Sequence, residues 1–153
     1  MLVFSIFLEA KLDFWEGNSG TESRVCSMNF DQSESFHNTW GKDTIGDKGC
    51  ENDEIRSMTI CYARKGFAIR VFDDGSLGTN DDHAMVFAKT NMQGCVTIRH
   101  FELDETYTNE YHDEVEITYR TDGNLNGKIS SMEIYFEGML LRNMKVEQPF
   151  MHM

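Results

Sequence analysis

The chain has 153 residues, 40% of them hydrophobic, which is enough for a core and indicates one domain or two closely paired half-domains. Its 26 Asp and Glu residues outnumber its 14 Lys and Arg residues, and the net charge of −12 argues against nucleic acid as a partner. No apolar run approaches the roughly 20 residues of a transmembrane helix, and residues 1–8 are too short and lack the basic residues of a signal peptide.

Short apolar and aromatic runs, separated by Gly, Asn and Asp, predict β-strands along most of the chain. The predicted strands are residues 11–15, 67–72, 85–88, 95–101, 115–119 and 131–136. Residues 1–8 alternate well enough for an opening strand. Residues 131–136, followed by 139–141 and 144–146, are expected to form a last hairpin around Glu137 and Gly138. The polar residues 31–48 predict a long ordered loop with one helical turn, and residues 102–114 an exposed acidic excursion. Spaced strands without helical spacers predict an all-β, antiparallel two-sheet sandwich.

One nine-residue phrase occurs twice. Residues 52–60 (NDEIRSMTI) and 126–134 (NGKISSMEI) share Asn, Ile, Ser, Met and Ile at matching places. An aromatic strand and a glycine-bearing hairpin come before each copy, in residues 14–21 and 71–79. A repeat of roughly 70 residues in a small chain predicts one supersecondary unit built twice.

The duplication sets the expected domain organisation. Residues 1–153 form a single domain, with a first unit at about residues 9–62 and a second at about residues 66–136. The acidic excursion lengthens the second unit, and residues 137–153 form a C-terminal tail.

Over about residues 9–136, these features resemble the βγ-crystallin superfamily, whose domains pair two four-stranded Greek keys. The family closes each key with Asn/Asp-Asn/Asp-x-x-Ser/Thr-Ser. Residues 52–57 fit this motif except at the fifth place, where Arg56 stands. Residues 126–131 fit except at the second place, where Gly127 stands. The resemblance implies that the two units are Greek keys, here named key one and key two.

The resemblance also implies a calcium site between the keys. In the family, a backbone carbonyl of the third motif residue of one key joins the hydroxyl of the fifth residue of the other. Carried over, the Glu54 carbonyl joins the Ser130 hydroxyl, with Asp53 as the nearby carboxylate and a carbonyl from the hairpin at Glu16 and Gly17. Calcium takes such oxygen ligands, so calcium ions are the expected cofactor and partner.

The second family-type site is not expected to bind calcium. It would join the Lys128 carbonyl to Arg56, which has no acceptor atom and carries a permanent positive charge. The resemblance therefore implies at most one calcium site, and we expect the Arg56 guanidinium to occupy the other cation position and to stabilise the calcium-free protein.

Two other interpretations of these residues stay open. The last serine of each phrase can tie a loop to the backbone. The phrase would then be architecture alone, with a core formed by Ile55, Met58, Ile60, Ile129, Met132 and Ile134. Separately, residues 73–82 hold four carboxylates in ten positions, as either a solvated loop or a weak divalent-cation loop.

No enzyme signature is present. The five histidines show no metal-ligand spacing, and no GxSxG, P-loop or dinucleotide fingerprint occurs, so a non-enzymatic protein is expected. The alternative function is a binding or assembly module that works without calcium. An exposed segment with Tyr107 and Tyr111, or a tail rich in Met and Phe, would then contact a glycan, a membrane or another chain; the tail residues are Met144, Phe150, Met151 and Met153.

Four cysteines leave the redox state open. Without a CxxC motif, a zinc ribbon or a thioredoxin-type motif is not expected. The cysteines allow three disulfide connectivities or four reduced core thiols; they are Cys26, Cys50, Cys61 and Cys95. Disulfides accompany a secreted or secretory-vesicle location, which is favoured over a cytoplasmic one.

Overall fold

The computed structural model describes residues 8–50, 53–101, 113–120, 125 and 127–137, and within them nine β-strands form two antiparallel sheets. The strands are β1 Glu9–Trp15, β2 Arg24–Asp31, β3 Phe36–Trp40, β4 Ser57–Cys61, β5 Ala68–Phe72, β6 His83–Ala88, β7 Cys95–Ile98, β8 Val115–Arg120 and β9 Ser131–Phe136. Short 3-10 turns lie at Asn18–Gly20 and Ile45–Lys48. No helix in these described ranges has the length and apolarity that crossing a membrane requires.

The two halves of the chain exchange their third strands. The four-stranded sheet has the order β2-β1-β4-β7, and the five-stranded sheet has the order β3-β9-β5-β6-β8. Strand β3 of the first half therefore pairs with β9 of the second, and β7 of the second half pairs with β4 of the first. Strand β8 is an addition at the edge of the five-stranded sheet, beside β6. The predicted all-β sandwich of two Greek keys is confirmed by this topology.

The core lies between the inner faces of the two sheets. In β2, Cys26, Met28 and Phe30 are buried, whereas the intervening Ser27 and Asn29 are exposed. Such alternation is expected where one face of a strand meets the core and the other meets water. The predicted core positions of both phrases are all fully buried: Ile55, Met58, Ile60, Ile129, Met132 and Ile134.

The prediction of a long loop at residues 31–48 is wrong in part, because strand β3 lies within it. The single helical turn predicted for the same segment is present as the second 3-10 turn. Strand β3 is an edge strand whose central residues are exposed and whose two end residues are half-buried. It therefore lacks the alternation that identifies a half-buried strand. Strands β2 and β4 also lie outside the predicted runs. Residues 1–7, 102–112 and 138–153, which include the predicted opening strand, most of the acidic excursion and the last hairpin, lie outside the described residues.

Two disulfides resolve the cysteine alternatives. Cys26 bonds to Cys50, both within key one. Cys61 bonds to Cys95, which is its direct partner in the register of β4 and β7. The second disulfide therefore fastens a strand of key two to the sheet of key one.

Candidate cation site between the two keys

The two copies of the phrase meet across a local two-fold pattern of backbone hydrogen bonds. The Asp53 N–H donates to the Ile129 carbonyl at 3.0 Å, and the Gly127 N–H donates to the Ile55 carbonyl at 2.9 Å. Asp53 and Gly127 occupy the same motif place and both have a left-handed backbone, with φ of 65° and 71°. The repeat thus brings the second residue of each phrase beside the fourth and fifth residues of the other.

The last serine of each phrase fastens a hairpin. The fully buried Ser57 hydroxyl donates to the Gly17 carbonyl at 2.6 Å and accepts from the Gly20 N–H at 2.9 Å. In key two, the Ser131 hydroxyl donates to the Asp74 carbonyl at 2.5 Å and accepts from the Leu77 N–H at 3.1 Å. These bonds confirm that the last serine of each motif, Ser57 or Ser131, ties a loop to the backbone. The residue before it, Arg56 or Ser130, has a different role.

Position five of key two contacts the carboxylate of key one. The Ser130 hydroxyl donates to Asp53 Oδ1 at 3.0 Å, and the Lys128 carbonyl oxygen lies 3.3 Å from the same hydroxyl. Ser130 is buried, whereas Asp53 is exposed. A carboxylate, a hydroxyl and a carbonyl from both keys therefore converge, and these are the oxygen types that calcium prefers.

The equivalent place on the other side of the pattern holds a cation of the protein itself. Arg56 is exposed, and its guanidinium lies against Gly127. A Cβ at Gly127 would be 3.2 Å from Arg56 Nη2 and 3.3 Å from its Cζ. On one side the Asp53 carboxylate contacts the Ser130 hydroxyl. On the other side Gly127, which has no side chain, contacts the positively charged guanidinium of Arg56.

An acidic hairpin lies next to the contact between Asp53 and Ser130. Ser130 reaches this hairpin because its N–H donates to the Phe72 carbonyl at 2.8 Å, immediately before Asp73. Carboxylate oxygens of Asp73, Asp81 and Asp82 lie within 4.8 Å of one another. Loss of hydration raises the pKa of the Asp73 carboxyl above its usual value; Asp81, Asp82 and Asp53 raise it further, and Lys128 opposes them. Negative charge is therefore crowded here, and a cation would relieve it.

The structure brings together some of the predicted ligands. Asp53 and Ser130 are in direct contact, and Glu54 follows Asp53 as a half-buried residue. Glu16 and Gly17 lie in the other hairpin: the Arg56 N–H donates to the Trp15 carbonyl just before them, and Gly17 bonds to Ser57.

The hairpin beside Ser130 is thus the one that begins at Asp73. Its place follows from the pairing of β5 with β9, which the repeated order of strands within each key could have indicated. The aromatic residues of the binding alternative, Tyr107, Tyr111 and Phe150, lie outside the described residues.

Comparisons with known proteins return one group of structures. Three variants of a βγ-crystallin domain from Clostridium beijerinckii match the fold at 12%, 13% and 13% identity. Their TM-scores are 0.44, 0.39 and 0.38, and the matches cover 82%, 82% and 81% of this chain and 97%, 96% and 95% of the solved chains. No protein-family model and no curated protein sequence matches the chain. The likeness to these solved structures is remote, and the all-β sandwich of two Greek keys stands on the strand order described above.

Proposed function

We propose that this protein is a non-enzymatic, βγ-crystallin-like structural module that binds one calcium ion between its two keys. The observation that carries the proposal is the contact of the Ser130 hydroxyl with Asp53 Oδ1 across the keys, 3.3 Å from the Lys128 carbonyl oxygen. Calcium is held by six to eight oxygens, so the Glu54 carbonyl and water would complete the set. To admit the ion, the Ser130 hydroxyl would turn its proton away from Asp53 and offer a lone pair.

Electrostatics favours a cation at this place. The raised pKa of Asp73 reports that burial and three neighbouring carboxylates disfavour its ionised form. A divalent ion near Asp53 would supply the opposite charge, favour the ionised carboxylates and offset part of their repulsion. The net charge of −12 would add a general attraction for cations at low ionic strength.

The stoichiometry follows from the difference between the two sides. At the second position, the Arg56 guanidinium offers donors alone, and Gly127 supplies no carboxylate. A calcium ion there would meet a fixed positive charge at close range, so binding is proposed for one side only. The same guanidinium would reduce repulsion between the keys when calcium is absent.

The compartment is part of the proposal. Two disulfides support an oxidising environment, such as the secretory pathway or the extracellular space, where such bonds persist. Extracellular calcium is abundant, which suits a weak single site.

Thermal unfolding and calorimetry with calcium and with chelator test the proposal. If calcium binds only the folded form, a hundredfold excess over Kd stabilises by about 2.7 kcal/mol, so the melting temperature should rise. Ser130→Ala removes a ligand oxygen and Asp53→Asn removes the negative charge of the carboxylate, so each should reduce the rise strongly. Calorimetry on the unsubstituted protein should give a stoichiometry of one.

Ser57→Ala is the matched control. It removes the equivalent buried hydroxyl of key one, which fastens the hairpin at Gly17 rather than the one beside Ser130. It should therefore lower the melting temperature with and without calcium and leave the difference intact. Coincident melting curves and no heat of binding would refute the calcium proposal. A normal shift in both Ser130→Ala and Asp53→Asn would refute this location.

A further inference from the structure

A groove lies along one side of the sandwich, between the free edges of the two sheets. Strand β2 is the edge of the four-stranded sheet, and β3 is the edge of the five-stranded sheet. The space between them measures about 510 Å³. That volume falls within the range of about 300 to 1,000 Å³ typical of small-ligand pockets. The groove does not include Asp53 or Ser130, so it is separate from the proposed calcium site.

Aromatic rings form the floor of the groove and hold one another in place. Phe30 and Phe36 stack with ring centroids 5.4 Å apart, and Trp40 meets the edge of Phe30 at 6.1 Å. Phe36 and Trp40 are half-buried, so part of each ring remains accessible. The rings are also packed against the hydrophobic core, which fixes their orientation before any ligand arrives.

The rim of the groove is polar and carries both donors and acceptors. Asn29 of β2 and Asn38 of β3 are exposed, and no hydrogen bond joins either side-chain amide to another of the described residues. Asp31 Oδ1 accepts from the Ser33 N–H at 2.8 Å, and this bond lowers the pKa of the Asp31 carboxyl. The Lys48 ammonium lies 5.9 Å from the centre of the Trp40 ring, so the residues that line the groove include one positive and one negative side chain.

We infer that this groove binds a neutral saccharide, with a pyranose ring on the aromatic floor and its hydroxyls on the rim of Asn29 and Asn38. A pyranose has an apolar C–H face and a rim of hydroxyls that each donate and accept. A side-chain amide also offers both a donor and an acceptor, so the two sets are complementary. A purely apolar ligand would leave the amides and Asp31 desolvated, which is costly. An anionic ligand would find one lysine in the lining, and the carboxylate of Asp31 in the same lining would repel it.

The inference is tested by titrating cellotetraose, chitotetraose and mannotetraose into the disulfide-bonded protein with chelator present. Trp15→Phe leaves Trp40 as the single tryptophan, so its fluorescence reports on the groove. At least one tetrasaccharide should change this fluorescence, and calorimetry on the unsubstituted protein should give the same Kd. Asn29→Ala and Asn38→Ala should each weaken binding about five- to tenfold, the effect of a lost hydrogen bond of roughly 1 to 1.4 kcal/mol.

Asn80→Ala is the matched control, since Asn80 is an exposed amide in the hairpin after β5, outside the groove. Its Kd should equal that of the unsubstituted protein. The inference fails if none of the three sugars binds at millimolar concentration, or if both groove variants bind as well as the control. It also fails if sedimentation shows a dimer that Asn38→Ala weakens, because the groove would then belong to a second copy. Because chelator is present throughout, these outcomes are independent of calcium.

Discussion

At the scale of single residues, the contrast between Asp53 and Gly127 distinguishes the two sides of the molecule. Both have a left-handed backbone and donate to a carbonyl of the other phrase. Aspartate tolerates this conformation better than most side chains, and glycine adopts it without steric cost. The backbone is therefore alike on the two sides. The partners Ser130 and Arg56 make one side a set of oxygens and the other a set of nitrogen donors.

Substitutions at Gly127 should separate backbone strain from charge. Gly127→Ala should destabilise by about 1 to 2 kcal/mol, because alanine is strained at positive φ. The exposed Arg56 side chain can move away from the added Cβ. Gly127→Asp should recover part of this loss, because aspartate tolerates the conformation and places a carboxylate beside the guanidinium. Urea unfolding in chelator measures both changes.

Arg56→Ala provides the control for that comparison. When Arg56 is also replaced by alanine, the difference in the free energy of unfolding between Gly127→Asp and Gly127→Ala should become smaller. The remaining difference is the one due to the backbone conformation alone. An equal loss for Gly127→Ala and Gly127→Asp in the unsubstituted background would contradict this account.

The sequence predicts the inequivalence of the two phrases but not the full surroundings of each. Arg56 and Ser130 differ at matching places, and the chemistry of the two side chains distinguishes them without a structure. The choice between the hairpin at Gly17 and the hairpin at Asp73 depends on which strands are neighbours. The Phe72 carbonyl accepts from Ser130 because β5 and β9 are paired. No local pattern contains this long-range pairing, and only the repeated order of strands in the two keys could have indicated it.

At the scale of elements, two buried serines secure the hairpins. Each accepts one N–H and donates to one carbonyl in a hairpin about 40 or 57 residues earlier in the chain. Both hairpins contain residues with a left-handed backbone, namely Ser19, Gly20 and Leu77. These turns leave the strand ladder, and the serine hydroxyls supply hydrogen-bond partners to the Gly20 N–H and to the Leu77 N–H.

Ser57→Ala should therefore destabilise by about 1 to 3 kcal/mol, because it leaves the Gly17 carbonyl and the Gly20 N–H without their partner. Ser131→Ala should have a comparable effect in key two. The measurement is urea unfolding of the disulfide-bonded protein. Ser27→Ala, an exposed serine on β2, should stay within about 0.5 kcal/mol of the unsubstituted protein. Losses at Ser57 and Ser131 no larger than at Ser27 would contradict this role.

The sequence predicts some strands with a buried face but not all of them. Strand β5 buries Ala68, Ile69, Val71 and Phe72, so its run of apolar residues is visible in the sequence. Strands β2 and β4 also have buried faces, yet both lie outside the predicted runs. Strand β3 places His37, Asn38 and Thr39 in solvent. Its extended form depends on pairing with β9 rather than on its own composition, so the sequence around Trp40 predicts a loop.

At the scale of the whole molecule, the exchange of strands and the disulfide between Cys61 and Cys95 join the keys. Strand β7 contributes four residues to its sheet and reaches it from the other half of the chain. So short a strand forms few ladder bonds with β4. The disulfide therefore carries much of the connection at this edge.

Replacing both Cys61 and Cys95 by alanine should lower the free energy of unfolding by about 3 to 4 kcal/mol, as chain entropy predicts for a loop of this length. Hydrogen exchange at β7 amides should accelerate more than exchange elsewhere in the four-stranded sheet. Replacing Cys26 and Cys50 serves as the control, because that loop is of similar size but lies within key one. Unchanged protection of β7 in the first variant would contradict this role of the disulfide.

The exchange of third strands has a consequence for biosynthesis. When residues 36–40 leave the ribosome, the partner strand at residues 131–136 has not yet been made. The first half can assemble β1, β2 and β4, but its third strand has no partner until β9 has emerged. Pairings separated by almost a hundred residues form slowly, because the intervening chain loses entropy when its ends meet. Completion of the five-stranded sheet is therefore a late event, and until then the edge of β3 is open to chaperones or to another nascent copy.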